Sequence, residues 1–477
     1  MNVRTTRITR LLALTSSFIL TAGLIAGCSS SPASSSNGTG NAPAVSVPVL
    51  ITDAPGDQLL AFSLTINSIV LNGSKGSATV LSTPTTIEIC HLNGIQAPLV
   101  TANIAQDTYT SAVITFSSPE ITYINSAGTA ITVSPTLTNT SFTFTFPTPF
   151  TVSNSNTSLL FDLIASQSVN IVGTTVTVNP TFKVMPVPAA SAVPPPGENG
   201  TGMQQMATVV SVSGTSLTLE PGSGPNFTVT TNSSTVLQGF SALSALTAGE
   251  LVQVDFIVQT GGVYLATRIQ LAPPPNGGGV PNLLGGPVLS VSSGGFKMAL
   301  MQGLGPAASA AATTSIVTVT TNSSTVFAIA PQFVSLSALP FTPTFTAANL
   351  SPGQTVGIVA SVVSATPNWS ATATNVTLMP QTLGGTVTAI STVGGWTAYT
   401  LSLPSGSAFA TLSGASTVVT VYTSAATAPP PPTAVGGTAP PAIAVNSVVR
   451  FNGLVFSTGG GAFAMVAGCS PDGPPGI

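Results

Sequence analysis

The nine residues TVTTNSSTV occur twice in the sequence, at positions 228–236 and 318–326. A looser copy, TVYTSAATA, follows at 420–428. An identical nonapeptide with matched flanks is strong evidence for internal duplication. Its short alternation of polar and β-branched residues, bounded by Gly, Pro, Asn or Ser, is typical of a strand next to a turn. The stretch therefore predicts repeated β domains in the C-terminal half of the chain.

The order of segments around each copy also recurs. An opening strand comes before the nonapeptide, and a turn leading into another strand comes after it. In the three copies the opening strands are VVSV, VLSV and VTAI, and the turns are LTAGELV, LSPGQTV and IAVNSVV. About five strands per unit predict a small barrel, because closure leaves no open sheet edge.

These repeats resemble the bacterial family called domain of unknown function 5666. The family is marked by an opening G-x-V-x-x-V, a central T-x-(V/I), a turn L-x-x-G-x-x-V and a closing A-x-x-(I/V). The first copy matches through Thr235, Val236, Gly249, Val252 and residues 266–269. The third copy departs from the pattern, since an asparagine, residue 446, stands where the family has glycine.

The N-terminal block resembles another exported family, domain of unknown function 4382. The resemblance rests on a strand followed by T-D-A-P, at residues 49–55, and on a second strand, AFSLTINSIVL, at 61–71. Neither family has an established activity. The two resemblances therefore imply architecture and an exported location, and no reaction.

The predicted fold class is all-β, with an N-terminal β-sandwich followed by two or three small β-barrels. We expect the sandwich at 47–187, a Pro/Gly-rich linker at 188–206, barrels at 207–271 and 285–380, and a divergent barrel at 384–468. Whether the third barrel is complete stays open. A unit of about 65 residues barely supports its own core. Neighbouring barrels should therefore stabilise one another, while the linker leaves the sandwich independent.

Residues 1–27 have the parts of a signal peptide, with three arginines before an apolar run at 11–25. That run is shorter than the roughly 20 residues of a membrane-spanning helix. LIAGC, at 24–28, resembles the bacterial lipobox, which implies that Cys28 carries lipid and becomes the N-terminus. A plain signal peptide with an incidental cysteine is the alternative. Residues 28–46 are the predicted tether, and by analogy Ser29 favours the outer membrane over the inner one.

Charge is scarce: 4% of the residues are Asp, Glu, Lys or Arg, against about 25% in an average protein. Removal of the signal peptide leaves five bases against eleven acids, a formal charge of −6. Because no basic patch exists, nucleic acid is not an expected partner. The chain is also 43% apolar, which is unlike a disordered protein.

Catalytic equipment is sparse. The sequence has one histidine, His91, and lacks a G-x-S-x-G elbow and a phosphate-binding loop. Cys90 precedes His91, so in a strand the two side chains would point to opposite faces. We predict no catalytic residue and no cofactor. An enzyme would need converging carboxylates, with Asp162 and Glu88 as the candidates. A bridge between Cys90 and Cys469 stays open.

Asp53 and Asp57 form the only close pair of acids, in TDAPGD. Carboxylates of this kind can bind Ca²⁺, but an Asp before Ala-Pro-Gly more often caps a turn through backbone amides. We therefore expect Asp53 to be a cap, with a metal site as the alternative.

Trp369 and Trp396 lie near turns, as do Tyr264 and Tyr399. Exposed rings would suit a sugar-binding platform, whereas core packing is the more common use of so few aromatics. A ligand-binding role predicts a pocket lined by the tryptophans, and a structural role predicts that they are buried.

The leading hypothesis is a non-enzymatic envelope lipoprotein with a structural, adhesive or binding role. Its lipid anchor would hold it to the membrane, and its protein or glycan partner is not identified by the sequence. The alternative is a module that binds a glycan or an apolar ligand, and an enzyme is the third choice. The orientation of the domains and the oligomeric state also stay open.

Overall fold

The computed structural model describes residues 43–54, 58–92, 95–125, 127–154, 157–188, 201–272, 281–311, 313–330, 336–365, 368–404, 406–414, 417–424 and 443–467. Strands dominate this part of the chain, which confirms the all-β prediction. Two short helices, α1 (Ala165–Ser168) and α2 (Ala408–Leu412), and 3₁₀ turns at Cys90–Leu92, Leu243–Ala245 and Ala308–Ala310 accompany them. Cys28, Asp57 and Cys469 lie outside the described residues. Among these residues, none of the helices has the length and apolar character to cross a membrane.

The N-terminal domain is the predicted β-sandwich. Its strands are β1 (Ala44–Ala54), β2 (Leu59–Gly73), β3 (Ser77–Leu81), β4 (Thr85–Glu88), β5 (Ala97–Ala105), β6 (Thr108–Ile124), β7 (Ala130–Val133), β8 (Ser141–Thr151), β9 (Thr157–Ile164), β10 (Val169–Val172), β11 (Thr175–Val178) and β12 (Phe182–Pro188). One sheet has the order β12-β9-β1-β5, and the other has β3-β2-β6-β7 with β4 beside β2 and β8 beside β6. Alternate residues such as Val49 and Phe62 fill the core between them.

The repeats are three barrels. Barrel 1 has β13 (Thr201–Ser213), β14 (Ser216–Pro221), β15 (Phe227–Thr230), β16 (Val236–Gln238), β17 (Leu251–Gln259) and β18 (Val263–Leu271). Barrel 2 has β19 (Asn282–Ser292), β20 (Gly295–Ala299), β21 (Gln302–Leu304), β22 (Ile316–Thr320), β23 (Val326–Ile329), β24 (Thr355–Ser364) and β25 (Ser370–Leu378). Barrel 3 has β26 (Gln381–Val393), β27 (Trp396–Ser402), β28 (Val418–Ser424), β29 (Val448–Gly459) and β30 (Ala462–Ala467).

Each barrel closes through the same five-strand order. Barrel 1 follows β13-β14-β15-β18-β17 back to β13, and the other two follow the equivalent strands. The pairs β15–β18, β22–β25 and β28–β30 are parallel, and every other pair in each ring is antiparallel. This five-stranded Greek-key ring is the arrangement of the OB-fold. The third repeat is therefore a complete barrel.

The repeated nonapeptide is the end of one strand, a turn and the start of the next strand. In the first copy the Asn232 side chain accepts the Ser234 N–H at 2.9 Å, and the Thr235 hydroxyl donates to the Ala266 carbonyl at 2.7 Å. The second copy makes the same bonds from Asn322 and Thr325. The nonapeptide is therefore not one continuous strand, because its NSST segment folds into a side-chain-bonded turn.

The asparagine of the third repeat preserves the turn geometry. Gly249, Gly353 and Asn446 have φ angles of 93°, 90° and 73°. Each donates its N–H to the opening strand of its own barrel, at 2.8, 2.8 and 2.7 Å. Asparagine tolerates the left-handed region better than most residues, so the substitution is compatible with closure.

The sandwich packs against barrel 1. Its residues Leu50, Leu160 and Val187 belong to the apolar cluster of barrel 1. Strands β1 and β9 are apolar on both faces, and the outer face is covered by barrel 1. Barrels 2 and 3 also share an apolar cluster, and between them the Gln354 side-chain amide donates a hydrogen bond to the Val455 carbonyl at 2.8 Å. The predicted linker is also shorter than expected, since β12 runs to residue 188 and β13 starts at 201.

Candidate functional site

A cavity of about 420 Å³ lies where the sandwich and the three barrels meet. We call it the central cavity. Its volume is within the range of small-molecule sites, about 300–1,000 Å³. The sandwich contributes Cys90, His91 and Ile95, barrel 3 contributes Gln381 and Asn452, and barrels 1 and 2 supply most of the remaining wall.

Barrels 1 and 2 present equivalent positions to this cavity. Directly paired residues on adjacent strands lie on the same face of a sheet. Gln253 follows Gly249 by four residues, as Gly357 follows Gly353, so the two positions correspond. The two rows, strand by strand, are Met206, Gln253 and Gln270 in barrel 1 and Gly285, Gly357 and Thr377 in barrel 2. We call them the glutamine row and the glycine row. All six residues line the cavity.

The glycine row leaves space that packing does not use. A Cβ at Gly285 would find its nearest neighbour, Gln302 Cβ, at 3.9 Å, and a Cβ at Gly357 would contact Met379 Cγ at 3.4 Å. Both are ordinary contact distances. By contrast, a Cβ at the adjacent Gly286 would collide with the Ala299 carbonyl. Gly286 is therefore required by the fold, whereas Gly285 and Gly357 are not.

The glutamine side chains around the cavity differ in their hydrogen bonding. Both ends of the Gln381 amide make hydrogen bonds, since its Oε1 accepts the Thr355 N–H at 2.7 Å and its Nε2 donates to the Gly353 carbonyl at 3.0 Å. Gln270 Oε1 is buried and has no hydrogen-bond partner in the part of the chain that the structure describes. A buried acceptor without a donor costs about 1–3 kcal/mol. A bound donor would remove that cost.

A buried carboxylate holds the cavity's only imidazole among the described residues. Glu88 is fully buried, and its oxygens accept the backbone N–H groups of Phe62, Cys90 and His91 at 2.9, 3.1 and 2.7 Å. The same carboxylate lies 3.0 Å from His91 Nδ1. Since a carboxylate accepts hydrogen bonds, Nδ1 carries a proton and donates to Glu88, and in the tautomer with its only proton on Nδ1 the ring presents Nε2 as an acceptor.

Cys90 and His91 both line the cavity, so the expectation that they face opposite ways was wrong. The reason is local: they lie on a 3₁₀ turn, where side chains do not alternate as in a strand. Burial, and then the nearby Glu88 carboxylate, raises the pKa of the Cys90 thiol. The group is therefore held as a neutral thiol, which is a poor nucleophile.

The predicted acidic sites are not part of this cavity. Neither Glu88 nor Asp162 is among its lining residues, so the carboxylate pair that an enzyme would need does not converge there. Across the described ranges, no group of three or more His, Cys, Asp or Glu residues could hold a metal ion. Asp53 lies near the end of strand β1, opposite Leu163, and is 3% exposed. The residues after Ala54, whose backbone it was predicted to cap, lie outside the described residues, so the cap stays a prediction.

The aromatic candidates pack in the interior. Trp396 is 5% exposed, and its Nε1–H donates to the Ala338 carbonyl at 3.0 Å. Trp369 is partly buried against the same apolar cluster, and neither tryptophan lines the central cavity. Tyr264 packs edge-on against Phe256, with ring centres 5.1 Å apart. Tyr399 packs at a tilt against Phe451 in barrel 3, with ring centres 5.3 Å apart. Core packing is thus their role.

Apart from Cys90 and His91, the residues that form the cavity wall carry no motif that marks them in the sequence. The available signal was a comparison between repeats. At equivalent positions one copy has glutamines and the other has glycine or threonine, within otherwise matched strands. Such a difference inside a duplicated frame marks a surface on which the two copies have diverged.

Comparison with known proteins covers one of the barrels. The family described as Domain of unknown function (DUF5666) matches residues 207–270, which are the body of barrel 1. The resemblance of the first repeat to that family is thereby supported. No curated protein matches the chain significantly.

Proposed function

We propose that this chain is a non-enzymatic, lipid-anchored protein of the cell envelope that binds an uncharged, largely apolar small molecule in its central cavity. The observation that carries the proposal is the chemistry of the wall. Among the residues that the structure describes, its lining includes no Asp, Glu, Lys or Arg. A charged ligand would lose its hydration there without gaining a counter-ion.

The apolar part of the wall suits a hydrocarbon surface. Met206, Met301 and Met379 contribute unbranched thioether side chains, which adapt to irregular ligand shapes. A glycan is less well matched, because the described lining residues include no Trp, Tyr or Phe ring on which a sugar would stack. An apolar body with one or two polar groups fits the wall better.

Binding is tested with N-phenyl-1-naphthylamine, an uncharged aromatic dye whose fluorescence rises in apolar surroundings. We expect saturable binding to the mature chain. In Gly357→Gln, which places the glutamine of barrel 1 at the equivalent position of barrel 2, affinity should fall by about tenfold or more, since filling the cavity removes at least ~1.4 kcal/mol of contact.

The matched control is Gly294→Gln, the same substitution where a new Cβ meets nothing within 4 Å and which does not line the cavity. It should bind the dye like the wild type, and all three proteins should melt cooperatively. Equal affinity in the two variants would refute the site. Absence of saturable binding in the wild type would leave the structural or adhesive role, which the shared domain cores support, as the better account.

The lipid anchor gives a separate prediction. Cys28→Ala should leave the protein unlipidated and release it from the membrane fraction, because the lipobox-like segment contains no other thiol. Metabolic labelling with an alkyne fatty acid measures this. Ser30→Ala is the matched control and should label normally. Equal labelling of wild type and Cys28→Ala would reject the anchor and leave the plain signal peptide.

A further inference from the structure

We infer that the ligand is a flat molecule with an N–H or O–H donor, which lies against the glycine row of barrel 2 and donates to the glutamine row of barrel 1. The inference rests on the proposed function and specifies its chemistry. It follows from the two rows, which occupy the same positions of a duplicated barrel and line one cavity.

The glycine row argues for flatness. Gly285 and Gly357 are direct cross-strand partners, so two adjacent strands expose bare backbone side by side. Glycine inside a strand destabilises it by about 0.5–1 kcal/mol relative to alanine. Neither position needs glycine for packing, since a Cβ would have room at both. A glycine that the fold does not require marks a place where another molecule approaches the backbone closely.

The glutamine row argues for a donor. Gln270 lines the cavity, and its Oε1 is the acceptor without a partner. The last torsion angle of a glutamine is broad, so a small rotation turns this oxygen toward a bound group. In the tautomer with its only proton on Nδ1, which points at Glu88, His91 presents Nε2 as a second acceptor on the cavity wall. These two acceptors, in a wall whose described residues include no Asp, Glu, Lys or Arg, select a neutral donor.

Carbazole and dibenzofuran form a matched pair of probes. Both are flat, uncharged tricyclic molecules, and the N–H of the first is an oxygen atom in the second. Their affinities are measured by displacement of N-phenyl-1-naphthylamine. We expect the wild type to prefer carbazole by about five- to tenfold, the ratio that one neutral hydrogen bond supplies. Adamantan-1-ol, a globular molecule with a donor, should displace the dye poorly.

Gln270→Met keeps the length of the side chain and removes its acceptor. This variant should lose the preference for carbazole while its affinity for dibenzofuran stays unchanged. Gln238→Met is the control, since Gln238 pairs with Gln270 on the neighbouring strand but is exposed and does not line the cavity. It should keep the wild-type preference.

The outcomes separate the two claims. Equal binding of carbazole and dibenzofuran by the wild type would overturn the donor inference and leave the cavity as a binding site. Strong displacement by adamantan-1-ol would overturn the flat shape. Failure of the dye itself to bind would overturn the proposed function.

Discussion

Leu160→Ala is expected to lower the free energy of unfolding of the sandwich and barrel 1 together, by about 2–5 kcal/mol, the usual loss for a buried leucine. Leu160 belongs to the sandwich strand β9, is 2% exposed, and packs in the apolar cluster of barrel 1. Truncation leaves a cavity at the junction of the two domains. The effect should therefore appear in both domains at once.

Scanning calorimetry of the full mature chain measures this. The wild type should show the sandwich and barrel 1 unfolding in one transition, and Leu160→Ala should shift that transition to lower temperature. Val172→Ala, at a sandwich position that is 67% exposed, should leave it unchanged. Two separate transitions, with only that of the sandwich displaced, would restore the independent domain that the linker suggested.

Asp53→Asn is expected to raise stability at neutral pH by about 1–3 kcal/mol, the scale of a buried polar group without a partner. Neither carboxylate oxygen makes a hydrogen bond of good geometry to any described residue. Burial raises the pKa of Asp53 well above its usual range, and Asp162 and Glu88 raise it further. The Arg450 guanidinium and the Ala165 backbone act in the opposite direction, but the net shift of the pKa is upward.

The pH dependence gives the sign of the effect. Because the pKa of Asp53 is higher in the native state than in the unfolded chain, the native state keeps this proton to a higher pH. The contribution of Asp53 to the free energy of unfolding is therefore greatest below about pH 4. It is lost as the pH rises toward the native pKa. The stability gap between Asp53→Asn and wild type should therefore widen over that interval in chemical denaturation experiments. A gap that stays constant with pH would contradict the assignment.

Asp255→Asn is the matched control. Asp255 is also a buried aspartate in a strand, but its Oδ2 lies 2.7 Å from Arg268 Nη2 and accepts a hydrogen bond from Arg268 Nε at 2.8 Å. Its substitution should lower stability at neutral pH, since it leaves the arginine without its partner. The opposite signs of the two Asp→Asn changes would distinguish a carboxylate without an ion-pair partner from a general effect of removing charge.

Much of the fold follows from local patterns. The duplicated nonapeptide and the Gly-centred turn predict barrels, because each segment makes its hydrogen bonds within one unit. Asn446 shows where the Gly-centred motif stops being a guide. This turn position requires a residue in the left-handed backbone conformation, and asparagine adopts it as glycine does. Leu160 shows a second limit. The alternation of residues identifies the inner face of a strand, and an apolar outer face indicates that another part of the protein covers it, but the sequence does not say which domain that is.

The site was less predictable than the fold. The expected candidates, Asp53 and the tryptophans, were individual residues judged by their neighbours in sequence. The cavity instead depends on which faces of two barrels meet, and Gln270 and Gly357 acquire their meaning from that juxtaposition. The position of Cys90 and His91 on the same cavity wall depends on a 3₁₀ turn, which the strand-like pattern of the sequence does not predict. Tertiary packing, which no local pattern encodes, decided each case.

A crystal structure of the mature chain soaked with carbazole tests the proposed binding most directly. We expect the ring system in the central cavity, stacked on the backbone at Gly285 and Gly357, with its N–H within hydrogen-bond distance of Gln270 Oε1 or His91 Nε2. Carbazole bound elsewhere, with the central cavity empty under conditions that saturate binding in solution, would contradict it.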